Sequence, residues 1–278
     1  MTDVRLSYLV CATQRSGSTL MCELLKSTGV AGRPEEYFEA MRDTGIPPHP
    51  GDFLRGLPPT ELGIRDDPRP PEAPAYSSLA GLTDYRQHLE RSLAHGTTPN
   101  GVFGAKLMFN QLDELHALAG RLPELSGLEI GRLLERLFHG PRYIWVSRRD
   151  VVRQAVSMWK AIQTRTWRDG DGDEAVTPEY RFEAIDHLVR RFEADERGWQ
   201  SFFSRNGVQP LRIAYEDELV ADRGATVRRA LDWLSLSPPS GWRAEEPMRR
   251  QSGTESDDWV AAYHRDRHAA QHPVSQLA

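Results

Sequence analysis

The chain has 278 residues, of which 39% are hydrophobic and 27% charged, and its net charge is −5 at pH 7. This length suits one large α/β domain, residues 1–278, and it also allows two small domains without requiring them. The acidic balance excludes a basic nucleic-acid-binding protein, so any cationic site has to be local. Only two cysteines occur, Cys11 and Cys22, which disfavours a disulfide-rich secreted protein.

The apolar segments are too short for a membrane span, which needs about 20 residues. The first of them, Leu6–Ala12, includes Ser7 and is preceded by a single basic residue, Arg5. These features are not those of a signal peptide. We therefore expect a cytoplasmic protein without a membrane-spanning segment.

The first predicted element is a short buried strand at residues 6–13, which ends in polar residues. A turn at Ser16–Ser18 follows, and residues 19–26 have the apolar spacing of a helix that Gly29 ends. Residues 43–76 contain nine prolines and cannot form long regular structure. A loop of this length inside a domain is usually functional or mobile.

The remaining chain alternates between helical and strand-like patterns. Apolar runs predict strands at residues 101–110, 142–148 and 208–215, and Pro210 places the last of these near a sheet edge. Periodicity predicts helices at residues 82–93, 111–121, 129–138, 150–165, 178–205 and 222–235. Apolar strands that alternate with helices indicate an α/β fold with a central parallel sheet flanked by helices. Ligands of such folds bind beyond the carboxyl ends of the strands.

The segment CATQRSGSTLMCELL, residues 11–25, lies at the first of these strand ends and resembles a phosphate-binding loop. Against the pattern G-x-x-x-x-G-K-[ST], Ala12 replaces the first glycine and Ser18 replaces the lysine, whereas Gly17 and Thr19 match. The missing lysine disfavours a kinase or other nucleoside-triphosphate enzyme. Backbone N–H groups at the helix start, the hydroxyls and the Arg15 guanidinium suit a monophosphate group. Ordinary helix capping by Ser16 or Ser18 is the structural alternative.

A second basic position follows the third strand. Arg149 is at the strand exit, and Ser157 lies eight residues further on in the next helix. This pair could bind a second phosphate. The alternative is an N-cap by Asp150 with a surface serine.

Several spaced segments together carry a family resemblance. They are QRSGSTL after the first strand, the R-x7-S spacing of Arg149 and Ser157, and the longer stretches YLVCATQRSGSTLMCELLKSTGVAGRPEEYF, TPNGVFGAKLMFNQ, VSRRDVVRQAVSMWKAIQTRTWR and RQSGTESDDWVAAYHRD. From about Tyr8 to Asp266 the chain resembles the bacterial Stf-zero sulfotransferases. Residues 43–76 and 169–178 match this pattern poorly.

The resemblance implies a P-loop-like sulfotransferase fold and 3′-phosphoadenosine-5′-phosphosulfate (PAPS) as the donor, without a metal. The turn Arg15, Ser16, Gly17, Ser18 and Thr19 would hold the 5′ end of the donor, and Arg149 and Ser157 the 3′-phosphate. Arg15 would also act catalytically, because it stands where many sulfotransferases place a lysine and could stabilise charge on the bridging oxygen. Family precedent further implies a homodimer.

The resemblance also implies the acceptor side of the reaction. Glu36 matches the proposed general base, and the acceptor would be a carbohydrate hydroxyl, the 2-hydroxyl of trehalose or of a related glycoside, in carbohydrate or glycolipid metabolism. The residues expected to line the sugar pocket are Gln14, Arg33, Pro34, Glu35, Glu36, Tyr37, Phe38, Glu39, Pro48 and Phe53. Phe53 stands where the trehalose pattern has tryptophan, and Arg33 where it has an acidic residue. Spacing alone favours a solvated acidic turn for the GRPEEYFE segment, and the family resemblance reverses this preference.

Further candidate site residues rest on less specific sequence signals. Lys106 lies inside an apolar strand, so it should reach an acid or the donor phosphate, and we include it among the donor-binding residues. Trp159 and Trp167 could frame an adenine, although core packing better suits Trp159. The roles of Arg250 and Gln251 are left open.

Two segments of the sequence resemble metal-binding motifs but lack residues that those motifs require. A calcium loop that begins at residue 169 requires glycine at its sixth position and glutamate at its twelfth. This chain has Glu174 and Tyr180 at those positions. His264, His268 and His272 have helical spacing but no supporting carboxylate or cysteine framework. A nucleotide phosphotransferase and a catalytically inactive nucleotide-binding module are the alternatives to a sulfotransferase.

Overall fold

The computed structural model describes residues 3–38, 53–54, 57, 62, 64, 85–167, 176–244 and 254–272. The chain divides into two compact units. The first comprises Met1–Pro48, Pro70–Arg149 and Asp195–Pro247, and the second comprises His49–Arg69, Asp150–Ala194 and Met248–Ala278. The expectation of one domain over residues 1–278 stays a prediction. Most of segment 43–76, residues 169–174, Glu39, Pro48, Arg250 and Gln251 lie outside the described residues.

A four-stranded parallel sheet forms the centre of the first unit. Its strands are β1 (Leu6–Ala12), β2 (Val102–Met108), β3 (Arg142–Ser147) and β4 (Leu211–Ala214). Their order is β2-β1-β3-β4, and all three neighbouring pairs are parallel. The predicted α/β class is therefore confirmed. Strand β4 lies at an edge of the sheet and begins only after Pro210. This agrees with the restriction of proline to edge strands and strand starts, because proline has no N–H to donate.

The helices lie between and after these strands. In chain order they are α1 (Ser18–Ser27), α2 (Tyr85–Gly96), α3 (Leu112–Ala119), α4 (Ile130–Leu137), α5 (Val151–Thr164), α6 (Phe182–Arg205), α7 (Arg223–Trp233) and α8 (Thr254–Gln271). A 3-10 turn, Phe109–Gln111, follows β2, and a π-type turn, Tyr215–Leu219, follows β4. No helix in the described part of the chain has the length and apolar composition needed to cross a membrane.

Strands β1, β2 and β3 alternate their side chains between two apolar clusters, one on each face of the sheet. Leu9 and Cys11 of β1 pack with the cluster that contains Trp199 of α6 and residues of α3 and α4. Tyr8 and Val10 pack on the other side with residues of α1 and α7. Because both faces are covered, these three strands are largely apolar, which is the pattern seen in the sequence.

Helix α6 begins later than the predicted residue 178. The backbone at Glu179 is not helical, and its N–H donates to Gln163 Oε1 at 2.8 Å. The Glu179 carbonyl accepts from the Trp159 indole at 2.7 Å. These side-chain contacts replace the helical bonds that the sequence pattern predicts, and Phe182 is the first helical residue.

Helix α8 is absent from the elements that periodicity predicts. It belongs to the second unit, as does α5, and the two helices are joined by ion pairs of Arg153 with Asp257 and of Lys160 with Glu255, both 2.6 Å long. Only Ser256, Trp259 and Tyr263 of α8 are buried, so its sequence has a weak apolar stripe. Such a helix is difficult to recognise from hydrophobic spacing.

Gly104 of β2 leaves room for the Tyr8 ring of the neighbouring strand β1. It pairs with Tyr8 of β1, and a Cβ at Gly104 would lie 2.6 Å from the Tyr8 hydroxyl oxygen. That hydroxyl donates to the Ala31 carbonyl at 2.5 Å and cannot move without losing this bond. Glycine is therefore required here by space.

Replacing Gly104 with alanine should lower the free energy of unfolding by about 1–3 kcal/mol, because the added methyl group overpacks the Tyr8 ring. Urea denaturation measures the change. Gly224→Ala is the matched control, since its Cβ would meet only ordinary contacts from 3.4 Å outward and should be neutral or slightly stabilising. Equal stability of the two variants would contradict the steric argument.

Candidate active site

The turn between β1 and α1 has the geometry of an anion-binding loop. Gly17 is the N-cap residue of α1 with a φ of 91°, and no side chain caps this end of the helix. A Cβ at Gly17 would lie 2.3 Å from the Tyr215 ring, so both conformation and space require glycine. The first backbone N–H groups of α1 carry partial positive charge and can bind an anion.

Ser16 adds a second observation that fits an anion. Its side chain is fully buried, and its hydroxyl makes no hydrogen bond to any residue in the described part of the chain. Burying a hydroxyl without a partner is unfavourable, so a ligand oxygen at this position would relieve the cost. Capping by Ser16 or Ser18, the structural alternative, is not observed, because Gly17 occupies the N-cap.

Arg148 supports the loop from the end of β3. Its Nη1 donates to the Arg15 carbonyl at 3.1 Å, and its guanidinium lies 4.8 Å from the centre of the Tyr215 ring. Arg15 itself has a φ of 61°, which is uncommon for a residue with a side chain. The Arg148 contact therefore stabilises the backbone turn that positions Arg15.

Lys106 joins the anion loop to the predicted base. Only 4% of it is exposed, and its ammonium donates to Glu36 Oε1 at 2.6 Å. The same ammonium donates to Thr19 Oγ1, in the first turn of α1, at 3.0 Å. A buried charge needs a partner, and Glu36 supplies one. The expectation that Lys106 reaches an acid is confirmed, while a contact with the donor stays a prediction.

Glu36 is held by β2 and by the turn that follows this strand. The Lys106 backbone N–H donates to the Glu35 carbonyl at 2.9 Å, so this segment binds along the edge of β2. The Gln111 amide donates to Glu36 Oε2 at 3.1 Å and accepts from the Met108 N–H at 3.0 Å. Both carboxylate oxygens of Glu36 therefore face donors. The GRPEEYFE segment is not simply a solvated acidic turn.

Glu35 precedes Glu36 in the chain. Gln14 follows β1, the strand that neighbours β2. Glu35 forms an ion pair with Lys26, which also contacts Glu23 at 2.7 Å. Burial lowers the pKa of Lys26, but the hydrogen bonds of these two carboxylates outweigh it, so the pKa is raised. Gln14 donates to Asn110 Oδ1 at 2.7 Å, which brings together the carboxyl ends of β1 and β2.

The other predicted sugar-pocket residues of this segment have different environments. Arg33 is exposed and Pro34 is buried. The Tyr37 hydroxyl donates to the Arg33 carbonyl at 2.6 Å. Phe38 is 1% exposed and packs edge-on against Phe138 in the core, so in this structure it supports the segment from beneath.

The predicted 3′-phosphate residues belong to different units. Arg149 is the last residue of the Pro70–Arg149 stretch of the first unit. Its side chain is well exposed and pairs with Asp217 at 2.6 Å. Ser157 lies half-buried in α5 of the second unit. The Asp150 carboxylate caps α5 by accepting from the Arg153 N–H at 2.8 Å, as the structural alternative expected. Joint phosphate binding by Arg149 and Ser157 stays a prediction.

Two aromatic residues of the second unit pack against each other. Phe53 is 2% exposed, and its ring centre lies 4.9 Å from that of Trp167. Trp159 is fully buried, as expected for a core residue. A role of Phe53 in binding sugar stays a prediction.

Glu196 of α6 is a partly buried carboxyl beside the anion loop, and the sequence did not reveal it. Its Oε1 accepts from the Thr13 hydroxyl at 3.3 Å. Burial raises the pKa of Glu196 to about 7, with a further increase from Asp195, against the opposing effects of Thr13, Trp145 and Arg212. The Glu196 carboxyl therefore titrates close to neutral pH. It lies beside Thr13, the residue that precedes Gln14.

Gln111, Arg148 and Glu196 are the contributors that sequence reasoning missed. Gln111 and Arg148 directly follow the carboxyl ends of β2 and β3, which is where a parallel sheet places functional side chains. That positional signal could have identified both. Glu196 comes from the middle of a helix, and nothing in its local sequence distinguishes it from a surface glutamate.

The described residues contain no group of three or more histidine, cysteine, aspartate or glutamate side chains that could hold a metal ion. The protein thus has an α/β fold, a loop with anion-binding geometry at the carboxyl edge of its sheet, and a carboxylate held beside that loop.

Comparison with known proteins identifies the family. The family model for Stf0 sulphotransferases matches residues 7–266, and the chain belongs to this family. It is therefore a sulfotransferase, as the resemblance implied. Over 261 residues it is 38% identical to trehalose 2-sulfotransferase of Mycobacterium tuberculosis, covering 92% of this chain and 93% of that protein. The corresponding enzyme of Mycolicibacterium smegmatis is 36% identical over 269 residues, with 96% and 97% covered.

Replacing Glu196 with glutamine should stabilise the protein at alkaline pH. A carboxyl whose pKa is raised in the folded state contributes its stability below the unfolded-state pKa and loses it as pH rises through the folded-state pKa, here about 7. Glutamine does not ionise, so the variant should gain on the order of 2–3 kcal/mol over the parent between pH 4.5 and pH 8.5. Urea denaturation at both pH values measures this difference, and the exposed Glu90→Gln serves as control. A constant difference would disprove the assignment.

Proposed function

We propose that this sulfotransferase moves the sulfuryl group of PAPS to the 2-hydroxyl of trehalose or of a related glycoside. The observation that carries the proposal is the position of Lys106, whose ammonium contacts both Thr19 of the anion loop and Glu36. This contact brings the predicted donor and acceptor sites within one side chain of each other. The names of the two relatives support trehalose as the acceptor.

The loop is suited to the 5′ end of PAPS. The uncapped N-terminus of α1 and the buried, unpartnered Ser16 hydroxyl both offer donors to an anionic oxygen. Ser18 stands at the position where triphosphate enzymes have lysine, so the loop lacks the cation that a β/γ-phosphate pair needs. A phosphosulfate with a separate 3′-phosphate fits this chemistry, and Arg149 and Ser157 are the proposed 3′ contacts.

In the proposed reaction, Glu36 accepts the proton of the acceptor hydroxyl. The hydroxyl oxygen forms a bond to sulfur while the bond between sulfur and the bridging oxygen of PAPS breaks. Arg15 stabilises the negative charge that develops on this bridging oxygen. The products are a sulfate ester and 3′,5′-adenosine bisphosphate.

In this proposal Lys106 acts on both the base and the anion loop. Its charge stabilises the ionised form of Glu36, which is the form that a general base requires. Its bond to Thr19 fixes the distance between the base and the anion loop. An ammonium on a rigid strand therefore orients both reactants, and orientation of this kind contributes several kcal/mol to catalysis.

Incubation of the protein with PAPS and trehalose should yield trehalose 2-sulfate, identified by mass spectrometry and NMR. Glu36→Gln should lower turnover by about 10²–10⁴-fold, because the amide cannot accept the proton. Glu135→Gln, at an exposed ion pair of α4, is the control and should retain activity. Binding of PAPS without transfer to any sugar would indicate an inactive nucleotide-binding module. Full turnover by Glu36→Gln would refute the assignment of the base.

Arg149→Ala should weaken the binding of 3′,5′-adenosine bisphosphate by about 10–100-fold, the usual effect of removing a charge-assisted hydrogen bond. Isothermal titration calorimetry measures the dissociation constant. Arg132→Ala is the matched control, since Arg132 is also an exposed arginine in an ion pair but lies outside the proposed site. An unchanged affinity in Arg149→Ala would show that the second phosphate site lies elsewhere.

A further inference from the structure

Gln111 is a buried amide with both of its polar atoms in use. It is 4% exposed and ends the 3-10 turn that directly follows β2. Burial of an amide is unfavourable unless its hydrogen bonds are replaced. The side chain meets this requirement with one backbone bond and one bond to Glu36, so its location is closely specified.

The backbone bond determines which way the amide points. The Met108 N–H donates to Gln111 Oε1 at 3.0 Å, which requires the carbonyl oxygen on that side. The Nε2 group must then face Glu36 Oε2, at 3.1 Å. A rotated amide would place two acceptors together at Glu36 and two donors together at Met108, losing both bonds.

The geometry points to Gln111 as a positioning residue that orients the Glu36 carboxylate for proton transfer. Lys106 holds Oε1 and Gln111 holds Oε2, so the two donors fix the plane of the carboxylate. Both donors come from β2 or from the turn at its end, a rigid part of the sheet. This inference rests on the proposed function, in which Glu36 is the base.

Two lysines from different elements lie around the Glu35–Glu36 pair. Lys106 faces it from β2, and Lys26 of α1 pairs with the adjacent Glu35. Gln111 is the neutral member of this group and, unlike the lysines, adds no charge. Its N–H favours the ionised carboxylate by hydrogen bonding alone, so exchanging it for an acid changes the protonation of Glu36 without changing the length of the side chain.

Gln111→Glu tests the role directly. The new carboxylate can still accept the Met108 N–H, but it places a second acid against Glu36, and two acids that share a site raise one pKa. We expect kcat at pH 7 to fall at least about tenfold and the acid limb of the pH profile to move up by about one unit or more. KM for trehalose and the affinity for 3′,5′-adenosine bisphosphate should change little.

Gln163→Glu is the matched control. Gln163 is likewise an amide that accepts a backbone N–H, that of Glu179 at 2.8 Å, and donates to the Glu179 carbonyl at 3.1 Å. It lies outside the proposed sites, so its variant should keep the parental pH profile. Gln111→Met supplies a second variant that adds no charge, and it should lower kcat and move the acid limb in the same direction.

The outcomes separate the two proposals. An unmoved acid limb in both Gln111 variants would overturn the positioning role, even if activity falls through a general loss of structure. In a Glu36→Gln background, Gln111→Glu should cause no additional tenfold loss of kcat, and an additional loss would also overturn it. Full activity of Glu36→Gln alone would instead overturn the assignment of the base, and with it the proposed mechanism.

Discussion

The pairing of Lys106 with Glu36 is the interaction on which the site depends. A lysine inside a strand buried on both faces is costly unless its charge is compensated, and a glutamate from outside the sheet provides the compensation. The segment that carries Glu36 is consequently bound to the edge of β2. The same ammonium contacts Thr19, so the charge that β2 must neutralise also couples this segment to the start of α1.

The loop after β1 has the backbone of a phosphate-binding turn but a different set of side chains. Its backbone retains the tight glycine turn and the exposed helix N-terminus, which bind any anionic oxygen. Its side chains differ, since Ser18 replaces the lysine of triphosphate enzymes and Arg15 lies on the preceding turn. Lys106 reaches the loop from the adjacent strand instead. The loop therefore carries Arg15 as its own cation, and the sheet supplies a second cation at Thr19.

Support for this loop comes from two other strand ends. Arg148, after β3, binds the Arg15 carbonyl, and Tyr215, after β4, packs against Gly17 so closely that no side chain could fit there. The uncommon backbone conformation of Arg15 is stabilised by these contacts. Four strand ends therefore contribute to one site, in agreement with the general position of ligand sites in parallel sheets.

Much of the fold was predictable from sequence. Apolar strands that alternate with amphipathic helices indicated the parallel sheet, and each of the four strands was located within a few residues. The errors have physical causes. Helix α6 begins late because Trp159 and Gln163 bind the Glu179 backbone, and α8 was missed because few of its residues are buried.

The sequence by itself determined the fold class, the glycine turn, the requirement that Lys106 find a partner, and the family, because these depend on local pattern and on motifs in a fixed order. Only the tertiary structure decided which acid Lys106 meets, that Gln111 faces Glu36, and that Glu196 lies partly buried beside Thr13. These contacts join residues about 70 to 180 positions apart. Their partners are selected by the packing of strands and helices, and no local pattern in the chain records that selection.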